Sequence, residues 1–156
     1  MTEPQPELLP GLVRAEVWAS QARARRARAG DAEPAAVDPV APVLVDVPLA
    51  HLDRSFDYAV PATMADDARP GARVKVRFAG QDVDGFVLER CAHTDHDGRL
   101  TPLRRVVSAE PVLSPAIAAL AGELAARYAG TRSDVLRLAI PSRHATTEKK
   151  PSPPAP

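Results

Sequence analysis

Three groups of residues in this sequence have side chains able to engage a ligand. The first is Phe56-Asp57-Tyr58, a carboxylate between two aromatic rings. On an extended strand, alternation sends Phe56 and Tyr58 to one face and Asp57 to the other. An aromatic ring can stack on a nucleobase, and a carboxylate accepts hydrogen bonds from base amino groups or a sugar hydroxyl. The plain alternative is two core aromatics and a solvated Asp57, the commoner role of strand aromatics. The second group is Arg73, Lys75 and Arg77, alternating with Val74, Val76 and Phe78. Side chains two apart on a strand share a face and stand about 7 Å apart, similar to successive phosphates in an extended single strand. That face reads either as a phosphate-contacting surface or as ordinary solvated cations. The third group is His93-Thr94-Asp95-His96-Asp97. Its two His and two Asp have the chemistry of divalent-ion ligands. Nothing near them in sequence would orient such a set, so the stretch reads as a polar loop and no metal is expected.

Several chemistries are missing. There is no G-x-x-x-x-G-K-[ST] to cradle a nucleotide phosphate, no G-x-S-x-G and no H-E-x-x-H, so no catalytic role and no cofactor is expected. Cys91 is the only cysteine; it has no partner for an internal disulfide or a zinc pair and reads as a passive thiol. Lys plus Arg number 20, equal to Asp plus Glu, giving a net charge of zero. Binding driven by bulk charge is therefore disfavoured, and any contact with nucleic acid must come from local placement. The run Arg23, Arg25, Arg26 and Arg28 reads as a solvated basic arm, with phosphate contact as the alternative. No apolar run approaches the ~20 residues of a membrane span. The opening Met-Thr-Glu-Pro lacks the pattern of a signal peptide, so the expectation is a cytoplasmic protein with no membrane partner.

The elements that position these residues lie in the middle of the chain. The 17 prolines cluster toward its two ends, which predicts a compact centre between disordered tails. Residues 1–42 read as tail and linker, with a helix favoured over 8–29 and an Ala-, Pro- and acid-rich stretch over 31–42. Order is expected from Val43. Val43, Val45 and Val47 alternate with Leu44 and Asp46, a strand pattern that ends at Pro48. Further strands are expected over 56–60, 73–78, 83–89 and 103–107, with 79–82 as a hairpin-like connection. Gly85, inside a strand, marks a bulge or a close backbone approach. Ser114-Pro115 opens a helix in which Ile117, Leu120, Ala121, Leu124 and Tyr128 recur at helical spacing. Ser133 or Asp134 caps a second helix over 135–140, ended by Pro141. The fold class is α+β: a small antiparallel sheet or half-barrel followed by two short helices, with disordered tails. The expected division is 1–42 tail, 43–113 sheet domain, 114–141 helical segment and 142–156 Pro-rich linker.

Taken in order, these segments resemble a known family. Asp53-Arg54-Ser55-Phe56-Asp57-Tyr58-Ala59-Val60-Pro61, then Pro70-Gly71-Ala72-Arg73-Val74-Lys75-Val76-Arg77-Phe78, then Gly85-Phe86-Val87 are similar to the start of the PriA (primosomal protein N′) family. Glu110-Pro111-Val112-Leu113-Ser114-Pro115 and Asp134-Val135-Leu136-Arg137-Leu138-Ala139-Ile140-Pro141 resemble the segment that follows. Each motif is weak alone; five in order, from Val43 to Pro141, are fairly specific. The resemblance implies the family's 3′ DNA-binding domain, which holds the 3′ end of a nascent strand at a stalled fork during replication restart and primosome assembly. It implies DNA with a free 3′ end as partner, and other primosome proteins as further candidates. The family's end-binding pocket falls on Phe56 and Asp57, on Gly80 in preference to Ala79, and on Thr101 where the family has a lysine. Thr101 is a departure, and Arg99 or Arg104 is the cation that would stand in. Lys75, Arg77 and Arg99 are the expected phosphate contacts. The Arg- and Ala-rich composition is similar to actinobacterial members. The family's helicase lobes are not in this sequence, so the resemblance implies a chain truncated before them that binds DNA without being an enzyme. The competing reading is a protein-interaction or regulatory piece that keeps the fold but not the DNA affinity.

Overall fold

A computed structural model describes residues 32–144 and residue 146. The helix expected over 8–29, with its arginine run, and the linker over 147–156 lie outside the described residues. Five strands make one antiparallel open sheet: β1 (Val40–Val45), β2 (Ser55–Ala59), β3 (Ala72–Phe78), β4 (Gln81–Val87) and β5 (Arg105–Pro111). Their order in the sheet is β2-β1-β4-β3-β5. Two helices follow, α1 (Pro115–Tyr128) and α2 (Arg132–Ala139), completing the α+β architecture that the sequence pattern predicts.

Alternation along the strands gives the sheet two apolar faces. One gathers Val43, Val45, Tyr58, Val74, Val76 and Val87, with Val60 and Leu103 from the connections. The other presents Leu44 and Phe86 to Leu113, which leads into the helices, and to Ala121, Leu136 and Ile140 of the helical segment. β1 is thus covered on both sides, which is why Val43-Leu44-Val45 is an unbroken apolar run. The sheet curls until its edges approach. The Tyr58 hydroxyl donates to the Arg77 carbonyl at 3.1 Å, although β2 and β3 are not neighbours in the sheet. Residues 101–104 span the remaining gap. The Ala59 N–H donates to the Thr101 carbonyl at 3.0 Å, the Leu103 N–H to Ala59 at 2.9 Å, and the Arg104 N–H to Lys75 at 2.9 Å. The result is a half-barrel.

Several boundaries differ from expectation. β1 starts at Val40 rather than Val43, and Ala35 already belongs to the core. Pro42 disguises this start. Its carbonyl accepts from the Leu88 N–H just past the last β1–β4 pair, Val43↔Val87, and the N–H it lacks is the one that would return that bond, so the β1–β4 ladder ends there. The β3–β4 connection is only Ala79-Gly80, because Phe78 already pairs with Gln81. Both turn residues have positive φ, 45° and 82°, as a type I′ hairpin turn requires. Gly85 is a close approach and not a bulge. It pairs in register with Val45 and Val74, and a Cβ there would lie 2.9 Å from the Leu44 carbonyl oxygen. The last strand runs over Arg105–Pro111 instead of 103–107; its side chains are mostly exposed, so its sequence carries no clear alternation.

The helical face also needs correction. α1 buries Ala121 and Ala125, while Leu120 is 56% and Tyr128 73% exposed. Small side chains let the helix lie close to its neighbours with Ile117 packed beside them, while Leu120 and Tyr128 fall outside that contact. α2 is capped by Thr131, not by Ser133 or Asp134: the Thr131 hydroxyl accepts from the Asp134 N–H at 3.2 Å. Ser133 is buried and donates to Asp46. Asp53 accepts from the Arg132 backbone N–H at 3.1 Å and from its Nε at 3.0 Å. Two carboxylates at the positive end of α2 thus fasten it to the sheet. Arg90 fastens the other end of the molecule. Its guanidinium donates to the carbonyls of Asp38 (2.7 Å), Val37 (3.0 Å), Ala65 (3.0 Å) and Ala68 (3.2 Å).

Candidate nucleic-acid interface

Asp57 lies on β2 opposite Pro42 of β1, on the face away from its neighbours Phe56 and Tyr58. Phe56 packs against the core. Its ring meets Phe78 edge-on, with centroids 4.8 Å apart at 63°, and the Arg54 guanidinium sits 4.8 Å above it. Phe56 therefore faces the core, and one of its ring faces is already taken. Tyr58 is buried more deeply, and burial pushes its phenol up to about 12.

The Asp57 carboxylate is half-buried. Its Oδ2 accepts from the Thr94 hydroxyl at 2.5 Å, and the Thr94 oxygen accepts from the His96 N–H at 3.0 Å. The histidine- and aspartate-bearing loop is therefore drawn onto β2 through its threonine. Thr101 lies along the outer edge of β2, where its carbonyl holds the Ala59 N–H and its side chain is exposed. Gly80 belongs to the turn that follows Phe78, and nothing stands within 4 Å of where a Cβ would be. Phe56, Asp57 and Thr101 thus gather on β2 and its edge, with the Gly80 turn next in chain to the phenylalanine that Phe56 touches. Arg54, Phe78 and Thr94 escape the sequence reading as site residues. The Thr94–Asp57 contact spans 37 positions, and no periodicity connects them.

Two of the three cations on β3 are paired with carboxylates. Lys75 pairs with Asp84 at 3.3 Å and Arg77 with Asp82 at 3.1 Å, each with its direct cross-strand partner. Arg104 approaches the same Asp82 at 3.6 Å. The hydrogen bond from Arg77, helped by the charges of Arg104, Arg77 and Lys75, holds the Asp82 carboxyl below the usual carboxylate range. Arg73 turns elsewhere, donating to the Pro141 carbonyl at 3.1 Å with its guanidinium 5.4 Å from the Phe86 ring centre. Arg99 is exposed in the loop before Thr101. Burial, followed by the charges of Glu89, Asp57 and Asp38, pushes the Cys91 thiol up, which disfavours a nucleophilic role. A cleft of about 500 Å³ opens between the sheet and α2, floored by Leu44, Phe86, Leu136 and Ile140. It shares no lining residue with the Asp57 group.

Known proteins carry the same segment. The 3′DNA-binding domain (3′BD) of PriA matches residues 42–141, which take in both helices and all of the sheet but the first two residues of β1. The chain belongs to the PriA 3′DNA-binding domain family. A probable replication restart protein PriA from Mycobacterium tuberculosis is 63% identical over 100 residues, covering 64% of this chain and 15% of the relative. The corresponding protein from Mycobacterium leprae is 60% identical over 100 residues, with the same coverage of 64% and 15%. The replication restart protein PriA of Bacillus subtilis is 27% identical over 103 residues, 65% of this chain and 13% of that protein. The chain thus spans about 15% of the length of its mycobacterial relatives.

Proposed function

We propose that this chain binds DNA at a free 3′ end, in the service of replication restart, with Asp57 as the group that recognises the end. The observation that carries this reading is a half-buried strand carboxylate, held by a neutral hydroxyl, within a family whose domain is described as 3′DNA-binding. A carboxylate is an odd choice for a polyanion unless it is there to discriminate. At an internal nucleotide or a 3′-phosphorylated end, a phosphate would sit where the hydroxyl otherwise lies. Two like charges about 4 Å apart repel by up to ~4 kcal/mol at an effective dielectric near 20. A 3′-hydroxyl instead donates a hydrogen bond, worth about 1.5–3 kcal/mol to a charged acceptor. One residue can thus accept an end and reject a mid-strand position.

The remaining assignments follow from position. Phe56 walls the site from the core side, Gly80 offers open backbone for close approach, and Thr101 adds a hydroxyl at the β2 edge. Lys75, Arg77 and Arg99 contact phosphates. The pairs of Lys75 and Arg77 with Asp84 and Asp82 are partly exposed, a class worth ~0–1 kcal/mol, so a phosphate can take the place of either carboxylate. The chain works in the cytoplasm on fork DNA, hydrolyses no ATP by itself, and has other primosome proteins as candidate partners. Among the described residues no helix is long and apolar enough to cross a membrane.

The test uses two short single-stranded oligonucleotides that differ only in a 3′-hydroxyl or a 3′-phosphate. The native chain should prefer the hydroxyl at least several-fold, and Asp57→Asn should lose most of that preference while staying folded. Equal affinity for both ends would sink end recognition. The second reading, a protein-interaction piece, draws on exposed Leu120, Tyr128 and Leu138 of the two helices; it expects neither oligonucleotide to bind.

A further inference from the structure

We infer that Thr94 is the positioning residue that aims Asp57 at the 3′-hydroxyl. This rests on the reading of Asp57 as the end-recognising group. The terminal torsion of an Asp side chain is broad and soft, so a half-buried carboxylate left alone sweeps its oxygens through a range of directions. Here Oδ2 is held by the Thr94 hydroxyl. Oδ1 takes no part in that contact and, among the described residues, is left for an incoming donor.

The Thr94 hydroxyl is itself directed. It has one proton and accepting lone pairs. The His96 N–H occupies the acceptor side at 3.0 Å, and the proton goes to Asp57. A threonine oxygen bonded to the N–H two residues on is a compact local turn, so the donor is fixed by its own loop. That loop is fastened at both ends. Cys91 and Val40 exchange backbone hydrogen bonds of 2.8 and 3.0 Å, and the Thr101 carbonyl holds the Ala59 N–H at 3.0 Å. Thr94 therefore rests on a short segment anchored to β1 on one side and to β2 on the other.

The chemistry of the partner also fits. A lysine or arginine in place of Thr94 would hold the carboxylate equally well, as Lys75 and Arg77 hold theirs. It would also cancel the charge that repels a phosphate. A hydroxyl fixes the direction and leaves the charge intact, so the roles separate: Asp57 supplies the discrimination and Thr94 supplies the aim.

The separation makes a specific signature in binding by the full chain. Thr94→Val, which keeps the shape and removes the proton, should weaken affinity for the 3′-hydroxyl oligonucleotide several-fold and leave the 3′-phosphate affinity within twofold. Asp57→Asn differs in kind, because it should tighten the 3′-phosphate complex. Thr94→Ser retains the hydroxyl and should restore the native ratio. Thermal unfolding followed by circular dichroism checks that each variant is folded, and Thr94→Ala replaces the valine variant if that one is not. A folded valine or alanine variant with native selectivity would overturn the inference alone. A native chain that does not distinguish the two ends would overturn the Asp57 reading and this inference with it.

Discussion

The β3–β4 hairpin and the β2 edge both carry acidic residues on strands, and they treat them in opposite ways. On β4, Asp82 and Asp84 sit directly across the ladder from Arg77 and Lys75 and pair with them. On β2, Asp57 sits across from Pro42, which offers neither charge nor donor, and among the described residues the carboxylate's hydrogen-bond partner is the Thr94 hydroxyl. Register decides the difference. A carboxylate with a cation in its cross-strand position has its charge satisfied at home; one facing proline keeps its charge for whatever arrives. The zero net charge of the chain therefore conceals two cation–carboxylate pairs on the hairpin and a carboxylate held by a neutral hydroxyl on β2.

The most drastic way to break this arrangement is at the seam between the two regions, where β1 meets β4. A Cβ on Gly85 would come within 2.7 Å of the Val43 side chain and 2.9 Å of the Leu44 carbonyl. Overpacking of that kind costs about 1–3 kcal/mol, so Gly85→Ala should lose roughly 2 kcal/mol of stability in a denaturant titration. A loss below about 0.5 kcal/mol would mean that the seam has slack. The hairpin itself is tested by freeing its cations. Asp82→Asn leaves Arg77 and Arg104 without their carboxylate and should raise affinity for single-stranded DNA a few-fold. It should also steepen the dependence of log affinity on log salt by about 0.7 for each additional phosphate neutralised. An unchanged slope there, together with an unchanged slope in Lys75→Ala, would remove the hairpin from the DNA path.

The smallest effect concerns the link that closes the half-barrel. The Tyr58 phenol is raised to about 12 from 10.0 by burial, so the unfolded chain gives up that proton first as pH rises. Its stabilising contribution is complete below about pH 10 and is lost between there and about pH 12. Unfolding free energy measured across that window should fall in the native chain and fall less in Tyr58→Phe. Parallel curves would mean that the phenol is not shielded.

The sheet is largely legible in the sequence because alternation is a strong signal where one face is buried. Arg73 to Phe78 reads directly as β3, and Val43 to Val45 as the centre of β1. The features that sequence patterns hide share a physical cause. Val40 is hidden because a proline on a strand reads as a break, although Pro42 stays in register with Asp57 of β2 and only the β1–β4 ladder ends beside it. Thr131 does not stand out as a cap because Ser133 and Asp134 have equal capping chemistry, and only tertiary partners for Ser133 decide among them. Exposed Leu120 and Tyr128 follow from a contact made by alanines, which hydrophobic spacing ranks below leucine and tyrosine. At the candidate site, Asp57 and Phe56 stand out by type and family motif. Thr94 does not, since a threonine in a polar loop carries no mark of the strand it will reach.

Arg90 ties four carbonyls from two distant stretches to one planar cation. Secreted domains of this size often use a disulfide for such closure, shrinking the freedom of the unfolded chain with a covalent link. A chain with a single cysteine has no such option, and the guanidinium does the joining without one. Its fork of N–H donors has the reach and planarity that an ammonium lacks, so lysine is a poor exchange here despite equal charge. The fastening is also indifferent to oxidants and reductants. The link between residues 37–38 and the loop over 65–68 runs through that one side chain under either condition.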